Sequence, residues 1–295
     1  MAAQNMPAAE IDIGDDLVRR LLADQHPDLA ALPITLVANG WDNAIFRLGG
    51  DLAVRLPRRQ QGADLVVNEQ RWLTELASRL PLPVPVPLRV GLPGDGFPWS
   101  WSVVTWFDGD VAADVTLTDA MVEARRLGRF VDALHAPAPA DAPVNPFRRG
   151  QPIAELQPRV MNSVERLGDS IDAGAVAARL DRLTDVADWE GAPVWVHGDL
   201  HSANVVVRDG TICAVIDFGD ITSGDPAVDL AIGWMLFDGA ALDAFRASAG
   251  SVDDATWSRA QAWALHFALL YLLHSADNPR FGRMGSRLIE RVVYD

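Results

Sequence analysis

The sequence predicts an α+β protein in which a small antiparallel sheet comes first and a larger, mainly helical part follows. Three short apolar runs, at residues 34–38, 44–48 and 52–56, are separated by turn-forming residues, which is typical of an antiparallel meander. From about residue 118 onward, the apolar residues recur at helical spacing instead. The length of 295 residues suits two modest domains or one large one.

The composition argues against several partners and locations. The formal net charge is −15, so the basic footprint of a nucleic-acid-binding protein is missing. The first residues lack the basic start of a secretory signal, and the apolar run at residues 262–273 is too short to span a bilayer. The single cysteine, Cys213, allows no internal disulfide, which fits a reducing compartment. We therefore expect a cytoplasmic protein that binds neither nucleic acid nor membrane.

In the first part of the chain, periodicity and proline content place the elements around the meander. Helices are predicted at residues 15–25 and 63–79, an extended proline-rich segment at 80–88 that runs into a strand near Arg89, and a further strand at 99–107. The last strand ends at the turn-forming sequence Asp108-Gly109-Asp110.

In the second part, helices predominate. Thr118 is a reasonable N-cap for a helix that runs to His135. Further helices are predicted at residues 153–167, 173–187, 227–237, 254–275 and 280–293. Pro226 precedes the third of these, in keeping with the preference for proline at a helix start.

Three polar side chains follow short apolar runs in residues 192–217. The apolar run 192–196 ends before a polar loop that contains Asp199 and Asn204. The next two apolar runs are joined by Asp209-Gly210, which is a strong hairpin signal, and Asp217 follows the second of them. Folding of this hairpin would bring Asp217 back toward Asn204.

These residue types suit phosphoryl transfer. Asn204 and Asp217 offer oxygen ligands for a hard cation such as Mg²⁺, which also binds phosphate oxygens. Asp199 is a separate carboxylate that could accept the proton of an attacking hydroxyl. The other interpretation is that all three are ordinary turn-forming residues.

Three motifs carry a resemblance to a known family. His197-Gly198-Asp199, with Asn204 five positions after the aspartate, resembles the catalytic loop of protein-kinase-like enzymes in the form found in aminoglycoside and macrolide phosphotransferases. Asp217-Phe218-Gly219 is similar to the kinase metal-binding triplet. The sequence from Asp225-Pro226 to Asp229 resembles the segment that follows it in those enzymes. We also expect Asp229 to accept backbone N–H groups of the catalytic loop.

The resemblance implies a protein-kinase-like two-lobe fold. Residues 1–107 would form the nucleotide-binding lobe, a small antiparallel sheet with one helix. Residues 108–295 would form the larger, mainly helical lobe for catalysis and acceptor binding. The three oxygen-bearing side chains would then converge around a magnesium–nucleotide complex.

The resemblance also implies a nucleotide site in the first lobe. The loop at residues 39–43, with Gly40 and Asn43, stands where such enzymes cover the phosphates of ATP or GTP. Arg55 occupies the position of their phosphate-binding lysine, and the chain contains no lysine. Glu69 would be its acidic partner, forming a carboxylate–guanidinium pair.

The nucleobase and the acceptor also have candidate residues. Val104, Trp106 and Phe107 lie where kinase-like folds hydrogen-bond the nucleobase through the hinge backbone. Asp220 is a candidate partner for the amines of a cationic aminoglycoside, and Trp234 a candidate wall for the apolar ring of a macrolide. ATP and GTP are both compatible with these residues.

Several functions remain open on the sequence alone. The first is transfer of the γ-phosphoryl group to a hydroxyl of a small molecule, either an antibiotic or a metabolic alcohol or sugar. A nucleotide-binding protein without transfer activity is favoured by Arg55 in place of lysine. Metal-dependent hydrolysis of a phosphoester would use the same carboxylates.

Overall fold

The structure, a computed structural model, describes residues 7–294. The chain divides into two compact units. Residues 7–108 and Val215–Gly219 form the first unit, and Gly109–Ala214 and residues 220–294 form the second.

The first unit contains a five-stranded antiparallel sheet and two helices. The elements are α1 (Asp15–Gln25), β1 (Ile34–Asn39), β2 (Asn43–Leu48), β3 (Leu52–Pro57), α2 (Gln60–Ala77), β4 (Pro87–Gly91) and β5 (Trp101–Thr105). The strand order is β1-β2-β3-β5-β4, and all neighbouring strands are antiparallel. The predicted meander is therefore confirmed, and α1 has the predicted bounds.

The core of the first unit lies between the sheet and α1. Phe46 and Val54 from neighbouring strands are fully buried, and so is Trp101 from β5. Leu21 and Leu22 of α1 belong to the same apolar cluster. Burial of side chains of this size stabilises the fold by about 1.5–3 kcal/mol each relative to exposure.

Helix α2 carries a carboxylate on its buried face. Leu65, Val66, Leu73 and Leu76 are buried at helical spacing, and Glu69 is buried among them.

Strand β5 is shorter than the strand predicted at residues 99–107. It ends at Thr105, so Trp106 and Phe107 lie beyond it.

The second unit is mainly helical. Its helices are α3 (Ala120–Leu134), α4 (Gln157–Leu167), α5 (Ala173–Thr184), α6 (Ala227–Leu230), α7 (Ile232–Leu236), α8 (Gly239–Arg246), α9 (Asp254–Leu273) and α10 (Pro279–Ile289). Its short strands are β6 (Asp110–Val111), β7 (Val194–Val196), β8 (Val205–Arg208), β9 (Thr211–Val215, whose last residue is counted with the first unit) and β10 (Thr222–Gly224). One sheet has the order β6-β8-β9, and β7 pairs with β10.

The turn between β8 and β9 has the geometry that its sequence predicts. Asp209 has φ 53° and Gly210 has φ 72°. Positive φ at both central residues is the property of a type I′ hairpin turn, for which Asp-Gly is a preferred sequence.

Several helix predictions need correction. Helix α2 spans Gln60–Ala77 rather than residues 63–79, and α5 ends at Thr184 rather than at residue 187. The cap of α3 is Asp119, whose side chain accepts from Val122 N at 3.1 Å, whereas Thr118 donates its backbone N–H to Gly210 O. The helix predicted at residues 227–237 is divided into α6 and α7 at Ala231, and α8 was not predicted. Helix α10 ends at Ile289, and a π-helical turn follows at Glu290–Tyr294.

Helix α9 is the centre of the second unit. Its buried residues lie on almost all sides of the helix and include Trp263 and Phe267. Other helices pack around it, among them α4, α5, α6 and α10. None of the helices in residues 7–294 combines the length and the apolar character needed to cross a membrane.

Candidate active site

The loop between β7 and β8 carries the predicted catalytic residues. Gly198 has φ 82°, and a Cβ atom at this position would lie 2.5 Å from Asp220 O. Both the left-handed backbone and the close approach therefore require glycine. His197 is fully buried, and its Nδ1 accepts from Asp199 N at 3.3 Å. His197 therefore packs against the loop and helps to order it.

Asp229 anchors this loop from α6. Its Oδ2 accepts from His197 N at 2.7 Å, and its Oδ1 accepts from Gly198 N at 3.0 Å. The carboxylate is fully buried and also lies 3.3 Å from His135 Nε2. Hydrogen bonds to an ionised acceptor are stronger than neutral ones. The predicted role of Asp229 is thus confirmed.

A buried ion pair supports α6 in turn. Asp225 Oδ2 lies 2.7 Å from Arg259 Nε, and both side chains are buried. Asp225 Oδ1 also accepts from Ala227 N at 3.0 Å, at the start of α6. The Asp-Pro segment therefore links the loop anchor to α9, which carries Arg259.

Asp199 lies between two cationic or donor groups. Its Oδ1 is 3.4 Å from Arg149 Nη2, and its Oδ2 is 3.4 Å from His201 Nε2. Burial by itself would raise the pKa of Asp199, but His201 and Arg149 outweigh it and hold the pKa well below its usual range. The side chain remains 27% exposed, so an acceptor can reach an ionised carboxylate.

Asn204 is oriented by the same loop. Its Nδ2 donates to Asp199 O at 2.9 Å and lies 3.4 Å from His201 Nε2. These contacts use the amide nitrogen and leave Oδ1 as the atom that could bind a cation. The residue therefore fits the predicted role of a Mg²⁺ ligand.

In the first unit, Arg55 contacts two carboxylates. Its Nη1 lies 2.6 Å from Glu69 Oε1, which is the predicted pair, and its Nη2 lies 3.0 Å from Asp217 Oδ1. Burial alone would lower the pKa of Arg55, but the charges of Glu69 and Asp217 raise it, so the guanidinium stays charged. The contact with Asp217 was not predicted.

Asp217 adopts an unusual backbone conformation. Its φ is 65°, in the left-handed region that few residues other than glycine adopt. Its side chain is 53% exposed, in contrast to the buried Arg55 and Glu69. An accessible carboxylate suits a cation ligand. Asp217 belongs to the first unit and Asp199 and Asn204 to the second, and their convergence stays a prediction.

The β1–β2 loop is more strongly constrained than its sequence indicates. Gly40 N donates to Asn43 O at 2.8 Å, and Gly40 O accepts from Arg58 Nη1 at 2.9 Å. Asn43 Oδ1 is buried and has no hydrogen-bond partner among the described residues. Arg58 and Arg59 are largely buried here. Arg59 Nη2 pairs with Asp42 at 2.7 Å.

The hinge candidates differ in what they offer a nucleobase. Val104 is buried within β5. The backbone N–H of Trp106 donates to Asp51 O at 2.8 Å, so it is already used. Arg47 lies over the Trp106 ring, 5.1 Å from its centroid. Phe107 is half-buried beyond the strand.

The two acceptor candidates are not gathered into one site. Asp220 Oδ1 accepts from Asn145 Nδ2 at 2.8 Å. Trp234 is nearly buried and lines a cavity of about 250 Å³ in the second unit, together with Ser202 and Tyr271. Asp220 is not part of that lining.

Arg149 is the residue that sequence reasoning missed. It belongs to the loop before α4 and reaches Asp199 from fifty positions away. The only local signal is the pair Arg148-Arg149, which does not distinguish one arginine from the other.

The fold and the catalytic loop define a protein-kinase-like phosphotransferase. A sequence model described as the phosphotransferase enzyme family matches residues 33–263. The chain belongs to this family, as its three motifs predict, and it is therefore an enzyme of the kinase class.

Solved structures show the same fold. The GDP and kanamycin complex of the aminoglycoside phosphotransferase APH(2″)-IIIa is 21% identical, with a TM-score of 0.69 over 93% of this chain and 97% of that chain. The macrolide 2′-phosphotransferase MphH from Brachybacterium faecium is 24% identical, with a TM-score of 0.58 over 93% of this chain and 98% of that chain. The streptomycin–ATP complex of APH(2″)-IIa is 15% identical, with a TM-score of 0.58 over 89% of this chain and 91% of that chain. No curated protein matches the sequence.

Proposed function

We propose that the chain transfers the γ-phosphoryl group of ATP or GTP to a hydroxyl of an aminoglycoside or macrolide antibiotic. The observation that carries the proposal is the loop at residues 197–204. Asp229 holds its backbone, Asp199 presents an accessible carboxylate, and Asn204 is oriented with its nitrogen toward the loop. Positioning of this kind supplies most of the catalysis in phosphoryl transfer.

In the proposed reaction, Asp199 orients the acceptor hydroxyl by accepting its hydrogen bond. The acceptor oxygen forms a bond to the γ-phosphorus, and the bond from that phosphorus to the bridging oxygen breaks. The electron pair leaves on the nucleoside diphosphate, and the proton goes to Asp199. Because its lowered pKa makes Asp199 a weak base, the proton moves late, once the new O–P bond has made the hydroxyl acidic.

Asn204 Oδ1 and the carboxylate of Asp217 are the atoms that would hold Mg²⁺. When bound, the cation neutralises charge on the phosphate oxygens. Arg55 would contact the phosphates with the guanidinium that Glu69 holds in place, and the pair is fully formed. A planar guanidinium binds phosphate well, although its geometry differs from that of lysine.

The remaining site residues have subsidiary roles in the proposal. Gly40 and Asn43 would cover the phosphates, and Val104, Trp106 and Phe107 would surround the nucleobase. Residues 1–107 would thus bind the nucleotide, and residues 108–295 would carry the catalytic loop and the acceptor site. The bound molecules of the similar structures, GDP, ATP, kanamycin and streptomycin, support this choice of substrates.

The test is a coupled assay for nucleoside diphosphate. The wild-type chain is incubated with ATP or GTP and Mg²⁺, with and without aminoglycosides, macrolides and small alcohols or sugars. The proposal expects diphosphate release that depends on an antibiotic and a phosphorylated antibiotic by mass spectrometry. Release only with a metabolic alcohol or sugar would reassign the acceptor. Release without any acceptor would indicate hydrolysis, and tight nucleotide binding without release would indicate a binding protein.

A further inference from the structure

Arg149 is a mostly buried cation beside the carboxylate of Asp199. Its side chain is 12% exposed, and its Nη2 lies 3.4 Å from Asp199 Oδ1. The guanidinium lies over the ring of Phe267, 4.6 Å from the centroid, and the backbone N–H contacts Asn145 Oδ1 at 3.4 Å. A cation held over an aromatic ring and shielded from water has little freedom to leave this position.

The guanidinium of Arg149 has more donors than acceptors. Arginine has five N–H donors in a planar fork. Among residues 7–294, the one side-chain acceptor of the guanidinium is Asp199 Oδ1, at the long distance of 3.4 Å. Its Nε is buried and has no hydrogen-bond partner among the described residues. A shielded cation with unused donors is unfavourable unless a ligand supplies acceptors.

The chemistry of the proposed reaction brings such acceptors to this place. Asp199 contacts the attacking hydroxyl oxygen, and the phosphorus bonds to that same oxygen. The oxygens of the phosphoryl group therefore come within a few ångströms of the Asp199 carboxylate. Arg149 already contacts this carboxylate before the phosphoryl group arrives. In the transition state these oxygens carry the spread negative charge, which arginine binds in a bidentate manner. With no lysine in the chain, a fixed side-chain cation for this purpose is an arginine.

We propose that Arg149 is a catalytic residue that donates hydrogen bonds from its Nη atoms to the phosphoryl oxygens during transfer. The inference rests on the proposed function. Arg149 forms no covalent bond and moves no proton: the leaving oxygen still takes the electron pair, and Asp199 still takes the proton. Contact with Asp199 holds the guanidinium ready before the phosphoryl group arrives.

The test compares neighbouring arginines. R149Q and R149M remove the charge, and R149M also removes the enclosed unpaired nitrogen, so at least one of them should fold. R149K retains a charge without the fork. R148Q is the matched control, because Arg148 is adjacent, 43% exposed and paired with Glu155 instead.

Loss of one preorganised donor to a transition state lowers kcat by about 10²–10³-fold. We expect a loss of this size in R149Q and R149M, with the KM values for nucleotide and acceptor changed by less than about threefold. R149K should recover part of kcat, and R148Q should match the wild type. Equal kcat values in wild type, R149M and R148Q would overturn the inference.

A double-mutant cycle separates action on the phosphoryl group from action through Asp199. In the D199N background, R149M should cause a further loss of kcat in single-turnover measurements, since its proposed target is still present. No further loss would show that Arg149 only orients Asp199, and the inference would be wrong. If the wild type shows no acceptor-dependent diphosphate release, the proposed function itself fails. If the wild type is active and the Arg149 variants are normal, only this inference fails.

Discussion

Arg55 Nη1 lies 2.6 Å from Glu69 Oε1, and this contact joins β3 to α2 inside the first unit. Both side chains are buried, so this ion pair is shielded from water. Such a pair adds little net stability over an apolar pair, yet removal of one partner is costly because it leaves a buried charge.

Glu69→Gln should therefore lower the free energy of unfolding by about 3 kcal/mol, the low end for a broken buried pair, since Asp217 still contacts Arg55. Urea unfolding at pH 7 measures this change in the free energy of unfolding. Glu75→Gln, at an exposed position of the same helix, should stay within about 0.5 kcal/mol of the wild type. Equal values for the two variants would contradict the assignment.

Asp229→Asn should destabilise the protein and slow the reaction. In asparagine an NH2 donor replaces one carboxylate oxygen, so either His197 N or Gly198 N would face a donor instead of its acceptor. We expect a loss of about 1–3 kcal/mol in urea unfolding for the unmatched buried donor, together with a lower kcat. Asp238→Asn, on a side chain that is 79% exposed, is the control and should be close to neutral. An unchanged kcat in Asp229→Asn would show that loop anchoring is not needed.

The stability of the second unit should depend on pH through His266. Burial lowers the pKa of His266 to about 3, with help from Arg149 and Arg159. The folded state thus keeps the ring neutral while the unfolded chain binds a proton below about pH 6.5. The contribution to stability is therefore complete above that pH and is lost as the pH falls toward about 3.

At pH 5 the wild type should have lost about 2 kcal/mol through this group relative to pH 7. His266→Phe places a ring without a titrating group among Trp263 and Phe267 and should remove this part of the pH dependence. Urea unfolding of both proteins at the two pH values measures the difference. The same pH slope in both would show that another group is responsible.

Asp217→Asn should weaken the dependence of nucleotide binding on Mg²⁺. A neutral amide is a poorer ligand for a hard cation than a carboxylate. Calorimetric titration with the nucleotide, with and without Mg²⁺, should show a large gain of affinity from the cation in the wild type and little gain in the variant. Asp209→Asn is the control, because Asp209 also has positive φ but lies in a hairpin turn that accepts asparagine. A full magnesium effect in Asp217→Asn would exclude this ligand.

Local sequence signals predicted much of the fold. Helix α1, the meander and the Asp209-Gly210 hairpin depend on periodicity and turn chemistry within a few residues, and all three are present. The Arg55–Glu69 pair was also predicted, because the resemblance supplied the long-range contact that periodicity lacks.

The sequence-based predictions fail where contacts between distant parts of the chain determine the local structure. Thr118 and Asp119 are both good caps, and the contact of Thr118 with Gly210 leaves the cap to Asp119. Arg149 contacts Asp199 across fifty positions of the chain, and no local sequence pattern predicts that contact.

Asp199→Asn provides the most direct measurement of the central claim. The substitution keeps the shape of the side chain and its place in the loop but removes the carboxylate that takes the proton. Acceptor-dependent release of nucleoside diphosphate should fall by about 10²–10⁴-fold, while nucleotide binding stays close to that of the wild type. The unfolding midpoint should fall, because Arg149 and His201 lose their charged partner. Wild-type turnover in a folded Asp199→Asn protein would contradict the account.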